Sequence, residues 1–535
     1  MTFFSISTYF SVEYLAILLP VSVLLYAFLP QMPRRVMLLL ISWFFFFFVS
    51  GWLVLWLLFT TITVYSLGLL ISKLQKSCEA VVQALPKEGR KKAKKRCARQ
   101  QQLLLVTGIC LNLGVIIVLK YSPFFAEILN AVLQLTGTDF TLEKPSFLLP
   151  IGISFYTLQA IGYLTDVYRK KISADKNILR FSLFLSFFPL IMEGPICRYS
   201  ETADALWKAP KLRYQNFVLG FQRILFGLMK KLVVADRLNL FIQTVFSSYG
   251  DYDGLFIAVA GVCYTIQLYM DFSGTMDLAV GAAQIFGIPV PENFGRPFFS
   301  KTISEFWKRW HITLGAWFRD YVFYPVSMSK PVGKMNKSAR KRLGAHFGKI
   351  PAFAIALFCV WICNGLWHGA GWQYIFFGMY HYVLILGGNM IEPLALAVTT
   401  KLRINRLAFP YRLLQMFRTT VLVCIGELFF RADSLDAGMN MFTKIFTDFS
   451  FSSAADLSLF QLGADIQDFI IVAAVVVLVL IIGIFNERKI SIREKALNKH
   501  ILLSFALSYA LTMIIVIFGA YGDGYTPVDP IYAGF

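Results

Sequence analysis

Long apolar runs separated by short polar segments dominate this chain. Runs such as SVEYLAILLPVSVLLYAFLP and FIIVAAVVVLVLIIGIF are long enough to cross about 30 Å of hydrocarbon as helices. Candidate spans lie at 11–30, 36–50, 53–72, 103–120, 147–165, 216–234, 254–270, 272–288, 352–367, 371–389, 412–430, 468–485 and 501–519. The pattern predicts an all-α polytopic membrane protein with roughly 11–13 membrane segments. We expect a single integral membrane domain over residues 1–535.

Residues 291–325 break this pattern. They combine three tryptophans with eight charged side chains, and each charge costs a few kcal/mol at the centre of a bilayer. The segment therefore predicts short helices that lie at the membrane interface or line a water-filled cavity. The stretch FFPLIMEGPICRYS at 187–200 has a similar mixture and predicts a re-entrant turn.

The charge balance adds a prediction of orientation. Only 15% of the residues are charged, whereas a soluble protein carries about 25%. The net charge of +20 would suggest nucleic acid as the partner of a soluble chain, but here the positive residues cluster between apolar runs, most densely at 87–99. Loops rich in Lys and Arg stay in the cytoplasm. We therefore expect a multi-pass protein of the cytoplasmic (plasma) membrane with its N-terminus outside.

Cysteine and motif patterns exclude several kinds of chemistry. Eight cysteines are scattered, mostly inside apolar segments, and no two form a CxxC pair. This spacing predicts neither a disulfide framework nor a zinc site. No HxxxH or HExxH spacing links the histidines, and no GxSxG elbow, P-loop or dinucleotide fingerprint occurs. The sequence therefore supports neither a metal site nor covalent catalysis by serine.

Two of the five histidines lie in one nearly uncharged segment, WICNGLWHGAGWQYIFFGMYHY at 361–382. For His368 the simple alternative is a buried neutral imidazole bonded to a carbonyl. Asn364, however, precedes it by four residues on the same helix face, and Gly369 and Gly371 remove side chains where a substrate would approach. An imidazole with a pKa near neutrality can accept a proton from a hydroxyl. We therefore interpret His368 as a candidate general base.

The other two histidines of interest have weaker signals. His381 lies 13 residues beyond His368, roughly 220° around an unbroken helix, so we expect it to play a structural or supporting role. His311 lies between Trp310 and Ile312, where a histidine could equally be an interfacial anchor.

Several long motifs together resemble the membrane-bound O-acyltransferase family. They are DFSGTMDLAVGAAQIFGIPVPENFGRPFFSKTISEFWKRWHITLGAWFRDYVFYP, LWHGAGWQYIFFGMYHY, PIGISFYTLQAIGYLTDVYR and FFPLIMEGPICRY. The branch they resemble contains bacterial alginate O-acetyltransferases and the D-alanyl transfer proteins of teichoic acid modification, and DPIYAGF is a looser echo of the alginate-type ending. The resemblance covers about residues 30–440, with a core at about 120–440 and C-terminal helices at 441–535.

The resemblance implies a ring of helices around a central funnel, with the catalytic histidine at His368 of LWHG and a second histidine at His311 of KRWHITL. It also implies a set of residues that line the substrate tunnel or support it. These are Asn364, Trp367, Gly369, Gly371, Asp271, Ser273, Glu305, Trp307, Arg309, Trp310, Arg319, Asp320 and His381. One departure follows WFRDY, where relatives often have a short PLGG and this chain has YPVSMSKPVGKMNKSARKRLG.

The activity that the resemblance implies is O-acyl transfer. We expect an acyl group, with acetyl favoured, to pass from a cytoplasmic thioester, acetyl-CoA or an acyl carrier protein, to a hydroxyl of an extracytoplasmic polysaccharide. Transfer would be direct or through an extracytoplasmic acyltransferase partner. No permanently bound cofactor is expected, and the basic loops suit an acidic donor or carrier and the headgroups of membrane lipids.

Two alternatives stay open at this point. D-alanyl transfer to teichoic acid is the closer one. A polysaccharide or lipid transporter, or a scaffold of an export complex, is the more distant one. A transporter predicts internal repeats and intramembrane charge pairs, and the sequence shows neither clearly; a scaffold would not need His368.

Overall fold

A computed structural model describes residues 8–137, 140–451, 458–521 and 528. Regular structure within these ranges is helical throughout. The α-helices are α1 Leu19–Phe28, α2 Gln31–Ser50, α3 Val54–Ala84, α4 Lys87–Ile116, α5 Ser122–Leu135, α6 Ile153–Tyr168, α7 Ile178–Ser186, α8 Tyr199–Lys208, α9 Tyr214–Met229, α10 Asp236–Ser247, α11 Gly254–Ile285, α12 Ile303–Arg309, α13 Ile312–Phe318, α14 Tyr324–Ser327, α15 Lys330–Phe347, α16 Ile350–His368, α17 Trp372–Lys401, α18 Phe409–Arg431, α19 Leu435–Thr447, α20 Ile466–Glu487, α21 Ile492–Lys499 and α22 Ile501–Phe518.

Short π-helical and 3₁₀ segments join or precede some of these helices. The π-helical segments are Glu13–Leu18, Ile117–Tyr121, Lys230–Ala235 and Arg319–Phe323. The 3₁₀ segments are Gly51–Leu53, Tyr249–Asp251, Pro297–Phe299 and Ser458–Gln461. Residues 138–139 of the predicted outer loop and the C-terminal DPIYAGF lie outside the described residues.

Eight helical segments of the described chain are long and apolar enough to cross a membrane. They are Gln31–Ala84, Lys87–Leu135, Gly254–Ile285, Ile350–His368, Trp372–Lys401, Phe409–Arg431, Ile466–Glu487 and Ile501–Phe518. The prediction of an all-α polytopic membrane protein is confirmed. The eight are continuous helical segments, and one of them can contain more than one predicted span: 36–50 and 53–72 both lie within Gln31–Ala84. Other predicted spans differ from the helices for local reasons.

Two predicted spans, 254–270 and 272–288, form the single helix α11. The carboxylates Asp271 and Asp277 do not interrupt it because both are paired with lysines inside the protein. The predicted span 147–165 is also different, since α6 begins only at Ile153 and has 16 residues. It follows Gly152, whose positive φ of 65° and close approach to the Ile191 carbonyl leave no room for a Cβ atom.

The basic stretch 87–99 is helical rather than a loop. It forms the first half of α4, and α3 likewise runs on to Ala84, well beyond the apolar run that predicted it. Lys, Arg, Gln and Ala are good helix formers, so both helices continue past their apolar portions. Cys78 and Cys97 join this hairpin in a disulfide, with Cα atoms 6.0 Å apart. The cysteine spacing did not predict that bond.

The prediction of short helices over 291–325 is confirmed. The chain forms the 3₁₀ turn Pro297–Phe299, α12, α13 and a π-helical turn before α14. The stretch 187–200 between α7 and α8 forms a buried irregular turn over most of its length. That this turn is re-entrant stays a prediction.

Two compact units can be distinguished in the chain. The first comprises Met1–Phe221 and Ala279–Pro291, and within it α3, α4 and α6 pack together. The second comprises Gln222–Leu278 and Glu292–Ile531, and within it α16 packs on α17 and α17 on α18. Every residue of the candidate site lies in the second unit. One integral membrane domain over the whole chain stays a prediction.

Candidate active site

His311 and His368 line the same cavity, which has a volume of about 510 Å³. α12 and α13, with the residues that join and follow them, form one wall, and α16 forms another. Trp307, Trp310 and Asn364 also line the cavity, together with the cationic side chains of Lys308 and Arg319. Two histidines that are 57 positions apart in the sequence are thus brought to one space.

His368 is the last residue of α16 and is 3% exposed. Gly369 and Gly371, both with extended backbone, separate α16 from α17. The ring of His368 packs edge-on against Phe377 and Phe430, with centroids 5.9 and 5.1 Å away. These contacts fix the plane of the imidazole at a helix end.

His311 is held in a left-handed conformation, with φ 45° and ψ 53°. A residue other than glycine adopts this conformation only where its surroundings compensate the strain. Here Asn293 supplies the compensation. Its Oδ1 accepts hydrogen bonds from the Thr313 amide at 3.1 Å and the Thr313 hydroxyl at 2.8 Å, and lies 3.1 Å from Nδ1 of His311.

This arrangement determines the tautomer of His311. Because the Thr313 amide can only donate, the atom it meets must be the oxygen of the Asn293 side chain. Nδ1 of His311 therefore carries the proton, and Nε2 is left with a lone pair. Burial lowers the pKa of the His311 imidazole, which keeps the ring neutral and Nε2 a proton acceptor.

Trp367 lies between the two histidines. Its ring centroid is 5.6 Å from that of His311 and 4.9 Å from that of His368. Asn364, four residues before His368, is 8% exposed, and its Oδ1 has no hydrogen-bond partner among the described residues. The indole therefore fixes the two imidazoles relative to each other, and Asn364 adds an acceptor to the same cavity.

Asp271 and Ser273 do not line this cavity. Asp271 pairs with Lys231 at 2.9 Å, and Lys231 also pairs with Asp236. Ser273 accepts a hydrogen bond from Lys230. Asp271 is inside the candidate span α11. This chain therefore contains an intramembrane charge pair, and the expectation from the sequence that it shows none is wrong.

Three other charged residues of the predicted set serve local structure. Glu305, in the first turn of α12, accepts a hydrogen bond from the Lys301 amide and pairs with Arg309 at the end of the same helix. Arg309 also pairs with Glu487 of α20. Asp320 pairs with its neighbour Arg319.

His381 lies outside the cavity, and its supporting role stays a prediction. It is fully buried among Trp307, Trp361 and Phe377. Neither ring nitrogen has a hydrogen-bond partner within the described part of the chain. Its ring contact with Trp307, at 4.8 Å between centroids, makes it a support for the cavity wall.

The interpretation of Gly369 and Gly371 as open space for a substrate is wrong. A Cβ atom at Gly369 would lie 2.1 Å from the Tyr374 ring, and one at Gly371 would lie 2.4 Å from the side-chain amide of Gln373. Gly369 is needed because the chain turns between α16 and α17 against the Tyr374 ring. At Gly371 the nearest atoms belong to the end of the flexible Gln373 side chain. A leucine at Gly369 would displace packed atoms.

Asn293 was not identified from the sequence. An amide in PENFGRPF has no distinctive periodicity, and its contacts with His311 and Thr313 span 18 and 20 residues. The sequence shows only a single asparagine inside the charged, aromatic segment 291–325, and this does not indicate which residue it contacts.

Comparison with known proteins identifies the class. The model of the MBOAT, membrane-bound O-acyltransferase family, matches residues 38–426. The chain belongs to this family and is an acyltransferase.

Three relatives illustrate the range of the match. A probable alginate O-acetylase AlgI of Azotobacter vinelandii is 31% identical over 376 residues, which is 70% of this chain and 69% of the relative. A peptidoglycan O-acetyltransferase of Helicobacter pylori is 31% identical over 53% of this chain and 55% of its own length. A teichoic acid D-alanyltransferase of Bacillus subtilis is 33% identical over 45% of this chain and 59% of its own length.

Replacing Asn293 by Ala should reduce the rate of acyl transfer by about tenfold or more, because His311 and Thr313 lose their shared acceptor. Asn293→Asp keeps an acceptor oxygen and should retain more activity. The initial rate in isolated membranes, normalised to the amount of protein, measures this. Asn389→Ala, at an exposed position of α17, is the matched control, and a rate above half of wild type in Asn293→Ala would contradict the assignment.

Proposed function

We propose that this protein moves an acetyl group from a cytoplasmic thioester to a hydroxyl of an extracytoplasmic polysaccharide, with His368 as the general base. One observation carries the proposal. In a chain of an O-acyltransferase family, two buried histidines line one cavity, and ester formation from a thioester needs a group of this kind to accept the hydroxyl proton.

The residues of the cavity can carry out this transfer with every bond and proton accounted for. His368 accepts the proton of the acceptor hydroxyl while its oxygen forms a bond to the thioester carbonyl carbon. The carbon–sulfur bond then breaks, and the imidazolium returns the proton to the thiolate. Nε2 of His311, an acceptor in the tautomer that Asn293 imposes, accepts a hydrogen bond from a second hydroxyl of the acceptor and so holds the acceptor in place.

The charges of the cavity support an anionic donor. Lys308 and Arg319 line it beside the histidines, and cations favour the phosphates of coenzyme A or an acidic carrier protein. The donor would enter from the cytoplasm. The acceptor, a polysaccharide or an extracytoplasmic acyltransferase that relays the group, would enter from outside, so only the acyl group crosses the membrane.

Acetyl is favoured over D-alanyl because the similarity to the alginate O-acetylase of Azotobacter vinelandii covers 70% of this chain, and that to the teichoic acid D-alanyltransferase covers 45%. D-alanyl transfer to teichoic acid is the second candidate, supported by a relative of that name with 33% identity over a shorter stretch. We place the protein in the cytoplasmic membrane with its N-terminus outside.

Replacing His368 by Ala should lower acyl transfer at least 10²-fold, the lower end of what a general base contributes. His311→Ala should also be severe, whereas His381→Ala should be milder because His381 lies outside the cavity. His346→Ala, at an exposed position of α15, is the control. More than about a tenth of wild-type activity in a folded, inserted His368→Ala protein would exclude the base role.

The orientation predicts a labelling pattern. Single cysteines introduced within 87–99 and 334–342 should be protected from an impermeant thiol reagent outside intact cells, and one within 137–140 should react. The Cys78–Cys97 bond argues in the opposite direction, because lasting disulfides are typical of oxidising compartments. Labelling of the basic segments from outside would reverse the orientation and the side of donor entry.

The acyl group is decided by chemical analysis of the cell envelope. A deletion strain should lose alkali-labile acetate from its surface or secreted polysaccharide, and the wild-type gene, but not the His368→Ala gene, should restore it. If acetate is unchanged and ester-linked D-alanine is lost, the acetyl proposal fails and the second candidate replaces it.

A further inference from the structure

A second cavity, of about 530 Å³, lies in the same unit as the candidate active site. Its charged lining consists of four cations and two carboxylates, which are Arg223, Lys230, Arg296, Arg493, Asp277 and Glu292. Nothing in the proposed acyl transfer uses this space. Arg296 is paired with Glu487, which is outside the lining, at 2.8 Å. The lining itself carries two more cations than carboxylates, and this excess favours an anion.

The carboxylates of the lining are already engaged. Arg223 pairs with Asp277 at 2.9 Å and with Glu292 at 2.5 Å, and Lys230 pairs with Asp277 at 2.6 Å. Arg493 adds a further guanidinium to the same wall. Burial, and then the like charge of Arg223, lower the pKa of Arg493, while Asp277 and Glu292 act in the opposite direction. An anion between the two guanidinium groups would relieve this repulsion.

The rest of the lining is apolar. Leu478 and Ile482 of α20 face the cavity, as do Leu507 and Leu511 of α22. Of the charged residues, Arg223 and Lys230 lie near the C-terminal end of α9 and directly after it, and Asp277 lies in α11. Glu292 and Arg296 lie in the segment that follows α11, and Arg493 lies on α21, which connects α20 to α22. The cavity thus has a charged end and an apolar side, which meet near the ends of spanning helices. Helix ends lie at the depth where the headgroup of a lipid joins its acyl chains.

We propose that this cavity binds an anionic phospholipid. Its phosphate contacts the guanidinium groups of Arg223, Arg296 and Arg493, and one acyl chain lies along Leu478, Ile482, Leu507 and Leu511. Arginine suits this role because its planar fork matches the phosphate oxygens. A soluble phosphate would use the charged end but leave the apolar side without a partner.

The bound lipid would connect two parts of the second unit. The apolar side of the cavity comes from α20 and α22, which lie beyond residue 426, where the match to the family model ends. Asn293 also lines the cavity, and the same side chain holds His311. The bound lipid would therefore hold α20 and α22 next to Asn293, the residue that positions His311.

The test uses the full-length protein in a mild detergent and native mass spectrometry. Phosphatidylglycerol is titrated against phosphatidylcholine and inorganic phosphate, each separately. We expect phosphatidylglycerol to bind at one saturable site and Arg493→Gln to raise its Kd on the order of tenfold, the loss of one charge-assisted hydrogen bond. Arg488→Gln removes the same charge five residues earlier, at an exposed position outside the lining, and should leave the Kd unchanged.

A second variant tests the apolar side without altering charge. Leu507→Trp fills the path of the acyl chain and should weaken phosphatidylglycerol binding while Arg493 is intact, so the proposal stays testable if Arg493→Gln does not fold. Equal weakening by Arg493→Gln and Arg488→Gln would show non-specific attraction and overturn the proposal. Inorganic phosphate binding with the same dependence on Arg493 and no preference for lipid would also overturn it. Displacement of the lipid by coenzyme A would assign the cavity to the acyl donor instead.

Discussion

Two adjacent buried lysines, Lys230 and Lys231, require carboxylate partners, which neighbouring helices of the second unit supply. They are 3% and 1% exposed, and an unpaired ion at such depth costs several kcal/mol. Lys230 pairs with Asp277, and Lys231 with Asp271 and Asp236. They begin the π-helical segment Lys230–Ala235, and π-helical turns are frequent at functional sites. Because both Asp271 and Asp277 belong to α11, these ion pairs fix the register of α11 against that segment.

The position of α11 in turn determines the wall of the candidate active site. Phe272, next to Asp271, packs edge-on against His311 at 4.9 Å, and Tyr269 packs against Trp310 at 6.0 Å. Met276 on the same helix accepts a hydrogen bond from Asn293, whose oxygen holds His311 in its left-handed conformation. A shift of α11 along its axis would therefore move the contacts that determine where Nε2 of His311 points. The ion pairs act through this packing, at a distance from the reacting atoms.

The sequence predicted those features that depend on local chemistry. Apolar run length indicated a polytopic membrane protein, and the eight charges of 291–325 indicated short helices. What it could not supply were contacts between distant residues, such as Asn293 with His311, Lys231 with Asp271, and Cys78 with Cys97. Hydropathy also gave wrong helix ends, because α3 and α4 continue into polar residues that favour helices. It divided α11 into two spans because two carboxylates lie within its apolar run. The predicted spans 352–367 and 371–389 agree with the break between α16 and α17, but packing against Tyr374 rather than substrate access explains Gly369.

The central claim is that His311 and His368 act on the same bound reactants in one cavity. A double-mutant cycle tests it most directly, with acyl transfer rates measured for His311→Ala, His368→Ala and the combined variant at matched amounts of folded protein. Residues that act as a unit are strongly non-additive, so the combined variant should be little slower than the slower single variant. A combined loss equal to the product of the two single losses would show that the histidines act independently, and would contradict this account.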